Sequence, residues 1–248
     1  IYFSIRKQSN NGKFISHIQY IDMDKNFTQI LNISNHEVIP IGELGCYDEH
    51  GIFPINVLKH KNKIYAYLSG WSRRVSVSVE TGIGLAMSYD YGKTFKRLGD
   101  GPVLTSSLSE PYLIVDGFVK NYDGIFHMWY IYGTDWTQID RKSEPERTYK
   151  IGHAISLDGI NWKKELKQII QDSIEYECQA LPTVIKIKNR YHMYFAYRGT
   201  FDFRNNSNNA YKIGYAYSDD LITWIRDDQK VGIELSKEDW DSQMMSYP

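Results

Sequence analysis

Cysteine is nearly absent: Cys46 and Cys178 are the only two in 248 residues, and they form no Cys-x-x-Cys pair. Their spacing excludes a disulfide framework and a cysteine zinc site. The missing disulfide pattern leans slightly toward a cytoplasmic location, but a chain opening on Ile1 hides any leader, so sequence alone leaves the compartment open. An excess of one charge sign is also absent, with 29 Lys+Arg against 30 Asp+Glu and a net charge of −1. A dedicated nucleic-acid binder would carry a basic excess. The longest apolar runs, near Leu113–Val115 and Ile151–Ile155, are far too short to span a bilayer. Aromatic residues, by contrast, are abundant: they make up 15% of the chain, with 20 Tyr, a composition that favours strands over helical arrays. Asn26, Asn32 and Asn205 open glycosylation-acceptor triplets, which an Asn-rich chain generates by composition alone, and they carry no weight.

Self-similarity organises the rest. Three phrases align: Gly84-Leu-Ala-Met-Ser-Tyr-Asp-Tyr-Gly-Lys-Thr-Phe95, Gly152-His-Ala-Ile-Ser-Leu-Asp-Gly-Ile-Asn-Trp162 and Gly214-Tyr-Ala-Tyr-Ser-Asp-Asp-Leu-Ile-Thr-Trp224. Their leading glycines recur at intervals of 68 and 62 residues (152 − 84 and 214 − 152). Each phrase reads as a strand, a Ser/Asp turn and an aromatic opening the next strand. The turn is similar to the Asp-box of sialidases and related propellers, in which the acidic side chain caps its own turn. Upstream of each phrase runs an aromatic strand, Lys63–Gly70, Phe126–Gly133 and Tyr191–Arg198, with Ile1–Arg6 as a truncated fourth copy. Further upstream lies an acidic start ending in Pro or Gly: Asp48–Pro54, Glu110–Gly117, Glu175–Pro182 and Asp241–Pro248.

Four strands per repeat of this length indicate an all-β fold, a β-propeller of four-stranded antiparallel blades. The repeats predict one domain over 1–248, with the end of one blade at about 1–40, whole blades at 41–100, 101–167 and 168–230, and the start of a further blade at 231–248. Five blades at this period need roughly 320 residues, so the expected ring is incomplete here by about 70.

In a blade, the first strand lines the axis and the second returns antiparallel, so residues entering one and leaving the other emerge on one face. Those entering are Asp48, Glu49, His50, Glu110, Glu175, Glu177 and Asp241, and those leaving are Arg6, Trp71, Arg73, Arg74, Asp135, Trp136 and Arg198. The expectation is that carboxylates, guanidiniums and indoles converge at one mouth of the channel. Structural readings compete with it: Asp48 and Glu49 as turn caps, Glu110 and Glu175 as loop residues, Arg6 and Arg198 as partners of neighbouring carboxylates, and Trp71 and Trp136 as blade packing. His127 and His192, in register within second strands, read as structural, and no histidines show metal-ligand spacing.

This layout resembles the five-bladed propeller glycosidases (arabinanases, invertases and levansucrases) and their relatives that phosphorolyse mannosides. The resemblance implies a base or nucleophile in the first blade, a stabilising Asp in the second and an acid Glu in the third. In one register Asp48 matches the stabilising Asp and Glu110 the acid, with the first carboxylate upstream of Ile1. In another, Glu177-Cys178 resembles the Glu-Cys pair of invertase-type enzymes and Glu177 is the acid; both registers stand open.

Glycoside cleavage needs one protonated and one ionised carboxyl, roles that crowded carboxylates can divide by shifting one another's pKa values apart. Trp71 and Trp136 suit sugar faces, and Asp135 or His50 suit hydroxyls. Arg6, Arg73, Arg74 and Arg198 suit a phosphate or carboxylate. The expected ligand is a saccharide or sugar phosphate, and the expected activity is a glycoside hydrolase with an anionic substrate. The alternatives are a phosphate-dependent phosphorylase or a non-catalytic glycan-binding propeller. No cofactor is required, an axial calcium is neither demanded nor excluded, and nothing in the sequence sets the oligomeric state.

Overall fold

Strand formation follows the repeat, because runs of aromatic and β-branched residues place alternate side chains on the two faces of a sheet. The computed structural model describes residues 1–10 and 12–248. The first sheet portion holds β1 (Tyr2–Gln8), β2 (Phe14–Met23) and β3 (Ile30–Ile33). Three four-stranded blades follow: β4 (Gly51–His60) to β7 (Lys96–Arg97) through β5 (Lys63–Arg73) and β6 (Val79–Ser88); β8 (Ile114–Tyr122) to β11 (Lys163–Lys164) through β9 (Ile125–Thr137) and β10 (Glu146–Ser156); and β12 (Glu177–Ile187) to β15 (Ile225–Arg226) through β13 (Arg190–Gly199) and β14 (Lys212–Ser218). Within every blade neighbouring strands are antiparallel, and a parallel pairing, Ser16 with Gly51, ties the first portion to the next blade.

Blades pack face to face, so their second strands are covered on both sides. The fifth residue of each aromatic run (Tyr67, Tyr130 and Phe195) is fully buried. Tyr67, Ile114 and Met128 join the second and third blades, while Trp129, Val184 and Phe195 join the third and fourth. The blade edges are closed by the Ser-x-Asp turns. The Ser88, Ser156 and Ser218 hydroxyls donate to Asp90, Asp158 and Asp220 at 2.8, 2.9 and 3.0 Å, and these carboxylates accept amides of Thr94, Asn161 and Thr223. Donors aimed at the charged form hold Asp90 and Asp220 down at about 2.

Each innermost strand carries the same defect. Register slips between Ile52 and Ile55 in β4, between Val115 and Phe118 in β8, and between Ala180 and Thr183 in β12. A bulge leaves one residue unpaired and re-aims its side chain. Asp116 and Leu181 take left-handed backbone angles there (φ 57 and 52), as does Tyr247 (φ 67) at the corresponding place in the C-terminal segment. Bulge residue and following Gly or Pro thus recur as Phe53-Pro54, Asp116-Gly117, Leu181-Pro182 and Tyr247-Pro248.

Candidate active site

Three of the acidic residues at the strand starts, Asp48, Glu110 and Glu177, are buried rather than displayed. Asp48 has a side chain that is 0% exposed, and Arg97 of β7 grips its Oδ2 through Nε at 3.1 Å and through Nη2. The loop carrying Asp48 lies so close to β5 that a Cβ at Gly70 would strike Asp48 and the Tyr47 ring. Glu110 accepts the Tyr130 hydroxyl at 2.9 Å and pairs with Lys164 of β11 at 2.7 Å. Glu177 pairs with Arg226 of β15 at 2.7 Å and also accepts from Gln179 and from the Ser173 amide and hydroxyl. The same arrangement occurs three times, an acid entering the first strand and a cation on the last strand of the same blade. Each cation stands two residues after the turn aromatic, as in Phe95-Lys-Arg97, Trp162-Lys-Lys164 and Trp224-Ile-Arg226, a periodicity visible in the sequence.

This corrects the expectation of an acidic mouth. Asp48, Glu110 and Glu177 are shut away in ion pairs, because a carboxylate taken out of water demands a partner and the repeat supplies one. Glu49, a candidate for the mouth, instead follows the competing reading of a turn cap: its Oε2 accepts the Gly45 amide at 2.8 Å, with His50 at 3.4 Å. His50 stacks on Trp71 at 5.8 Å, and desolvation followed by Arg73 lowers its pKa. Arg73 lies over Trp71 and donates to the Phe14 carbonyl, and Arg74 pairs with Glu80 on the surface. Asp135 is exposed and bound to Thr137, while Trp136 packs into the blade core beneath Arg147 at 5.9 Å. Arg198 is only 3% exposed; it is caged by Phe203, Tyr149 and Tyr211 and donates to the Gly199 and Thr200 carbonyls. Among the described residues no neighbouring-blade carboxylate pairs with it. Asp241 is half-buried, and its Oδ1 has no hydrogen-bond partner.

Around the axis lies a cavity of about 820 Å³. Of the expected site residues, Arg6 and Trp71 line it and the strand-start carboxylates do not. The bulges dominate its wall, since Phe53, Asp116, Leu181 and Tyr247 all face it, together with Arg147, Arg204 and Trp240. Three blades project apolar or aromatic side chains and one projects a carboxylate. Asp116 is the only carboxylate among the cavity-lining residues. Burial pushes its carboxyl up to about 7, against opposing pulls from the Leu181 backbone amide and the Arg147 guanidinium. Its own amide donates to Ser69 Oγ at 3.0 Å, which fixes the bulge. Tyr247 is pushed up to about 12 by burial and by the charge of Asp116. Phe203 is flanked by the guanidiniums of Arg198 at 3.9 Å and Arg204 at 4.4 Å.

Sequence reasoning missed Asp116, Arg147 and Arg204. The signal for Asp116 was present: it occupies the residue before the closing Pro or Gly of the acidic element, where the other copies have Phe, Leu and Tyr. Arg147 and Arg204 come from loops and strand ends with no repeat equivalent. Among the described residues no cluster of His, Cys, Asp and Glu is arranged to hold a metal ion.

No known family profile matches the chain. A Mycobacterium tuberculosis protein described only as uncharacterized is 29% identical over 255 residues, covering 100% of this chain and 78% of that protein. Two proteins of Thermoanaerobacter match shorter stretches: a 1,2-β-oligomannan phosphorylase at 28% identity (60% of this chain, 48% of that protein) and a β-1,2-mannobiose phosphorylase at 30% (52% and 43%). Among solved structures, a glycoside hydrolase superposes with a TM-score of 0.69 at 16% identity, covering 93% of this chain and 69% of that one. The Bombyx mori GH32 β-fructofuranosidase superposes at 0.59 and 12%, covering 91% and 46%. The likeness shows the fold, a β-propeller shared with these glycoside hydrolases. At these identities the structural likeness establishes fold, and chemistry has to be argued from the cavity.

Proposed function

We propose that this chain belongs to a carbohydrate-active enzyme that cleaves glycosidic bonds in the axial cavity, by phosphorolysis. One observation carries the reading: the cavity offers a single carboxyl, Asp116, against three guanidiniums, Arg6, Arg147 and Arg204. Hydrolysis uses two carboxyls, one to protonate the leaving oxygen and one to activate water or attack carbon. Phosphorolysis needs one proton donor and a cationic seat for phosphate, which is itself the nucleophile. A carboxyl with a pKa of about 7 retains its proton near neutrality, as a general acid requires. A phosphate oxygen attacks the anomeric carbon, the bond from that carbon to the glycosidic oxygen breaks, and the Asp116 proton passes to the departing oxygen. The products are a sugar phosphate and a shortened saccharide. Trp71 and Trp240 at the wall provide flat apolar surface for sugar rings. The two mannoside phosphorylases among the partial relatives support the same choice and point to β-1,2-mannosides as first substrates.

A second reading, hydrolysis, is favoured by Asp241, whose unpartnered oxygen stands one residue from the cavity-lining Trp240. Incubation with β-1,2-mannooligosaccharides and aryl glycosides, with and without phosphate, separates the two. Mannose phosphate formed only when phosphate is supplied supports phosphorolysis, and free sugar released without phosphate overturns it in favour of hydrolysis. Saccharide binding without turnover of any substrate would leave a glycan-binding propeller.

A further inference from the structure

A second, smaller cavity of about 340 Å³ opens beside the fourth blade, between the loop entering β12 and the segment joining β13 to β14. We infer that it binds a distal sugar ring of an oligosaccharide whose cleaved end occupies the axial cavity. The inference rests on the proposed function and names its preference for chain length.

Its chemistry is that of a sugar site, with aromatic surface beside hydrogen-bonding groups that lack protein partners. Tyr176 is 59% exposed at the rim, with its ring meeting Phe201 edge-on at 5.6 Å. The Glu175 carboxylate and the Asn208 side-chain amide, both lining residues, make no hydrogen bond or ion pair among the described residues. The Asn209 amide is committed to the Phe201 carbonyl and stiffens the wall. A cavity lined only by aromatic rings would suit an apolar ligand; one with a free acceptor and a free amide suits hydroxyls.

The platform is held under strain. Tyr176 has φ 50, an outlier for a bulky residue, and its carbonyl is pinned by the buried Thr200 through both amide (2.9 Å) and hydroxyl (2.7 Å). This anchoring of the backbone sets where the Tyr176 ring stands at the cavity rim. The segment following β13 also divides the two cavities: Phe201, Asn208 and Asn209 face the small one, while Phe203, Arg204 and Tyr211 face the axial one. The two cavities thus share this segment as a wall, which an extended saccharide bound in both would cross.

The test is titration calorimetry with β-1,2-mannooligosaccharides of one to five units, on the wild-type chain and on Tyr176→Ala and Asn208→Ala. The expected result is an affinity that climbs with length in the wild type and a climb reduced at least about fivefold in the variants. A climb that survives in both variants overturns the inference while leaving the axial site standing. Wild-type protein that binds none of the ladder overturns the inference together with the functional reading beneath it. Asn208→Ala, a change confined to an exposed loop, keeps the test decisive if Tyr176→Ala fails to fold.

Discussion

Three acidic residues at the starts of innermost strands and one acidic residue at a bulge within such a strand do opposite things. Asp48, Glu110 and Glu177, at the strand starts, have each been supplied with a cation by their own blade and are closed to ligands. Asp116, at the bulge, faces the cavity and carries the burial cost of its charge without a close ion pair, so its proton affinity rises. Acidity near the axis therefore does not mark a catalytic group. On the proposed function it is incomplete compensation that singles out Asp116, because a fully paired carboxylate has little left to offer a substrate.

The comparison is broken most directly by Asp116→Asn. It is expected to lower turnover by about 10²–10⁴-fold, the usual worth of a general acid, with the fold intact by circular dichroism. Unchanged kinetics would return the strand-start acids to candidacy. Next in size is Arg97→Met, which strands the buried Asp48 charge and is expected to cost about 3–5 kcal/mol in urea unfolding, whereas Asp48→Asn with Arg97→Met recovers most of it. If the single variant is neutral, the strand-start tier is not the structural device described.

A smaller effect separates the tiers by pH. Asp116 has a folded pKa raised to about 7 above an unfolded value near 4, so the native state binds more protons in that window. Its contribution to stability is therefore present at low pH and lost as pH rises from about 4 through about 7. Thermal melts across this range should show the wild type declining relative to Asp116→Asn, and turnover should fall above about pH 7. The smallest effect belongs to Arg74→Ala, which removes an exposed pair with Glu80 and is expected to change stability by no more than about 0.5 kcal/mol and activity not at all.

The repeat made much of the fold legible, because the Ser-x-Asp turns and aromatic strands are local devices whose bonds close within a few residues. The strand-start acids were equally visible, but their partners lie 49 to 54 residues onward, so Asp48, Glu110 and Glu177 could be mistaken for free groups. Arg198 was misjudged for the same reason, since its aromatic cage is assembled from β10 and the segment after β13. Trp71 and Arg6, expected at the mouth from their positions at the ends of second strands, line the axial cavity.

By itself the sequence determined the blades, their order and the tight turns, since each depends on residue type and short-range spacing. Only the tertiary structure decided which carboxylate is available. A side chain's direction at a bulge depends on a slipped register against the next strand, and its proton affinity depends on what other blades bring to within a few ångströms. The repeat marks the position of Asp116 before Gly117, but its proton affinity is not written in its neighbours along the chain.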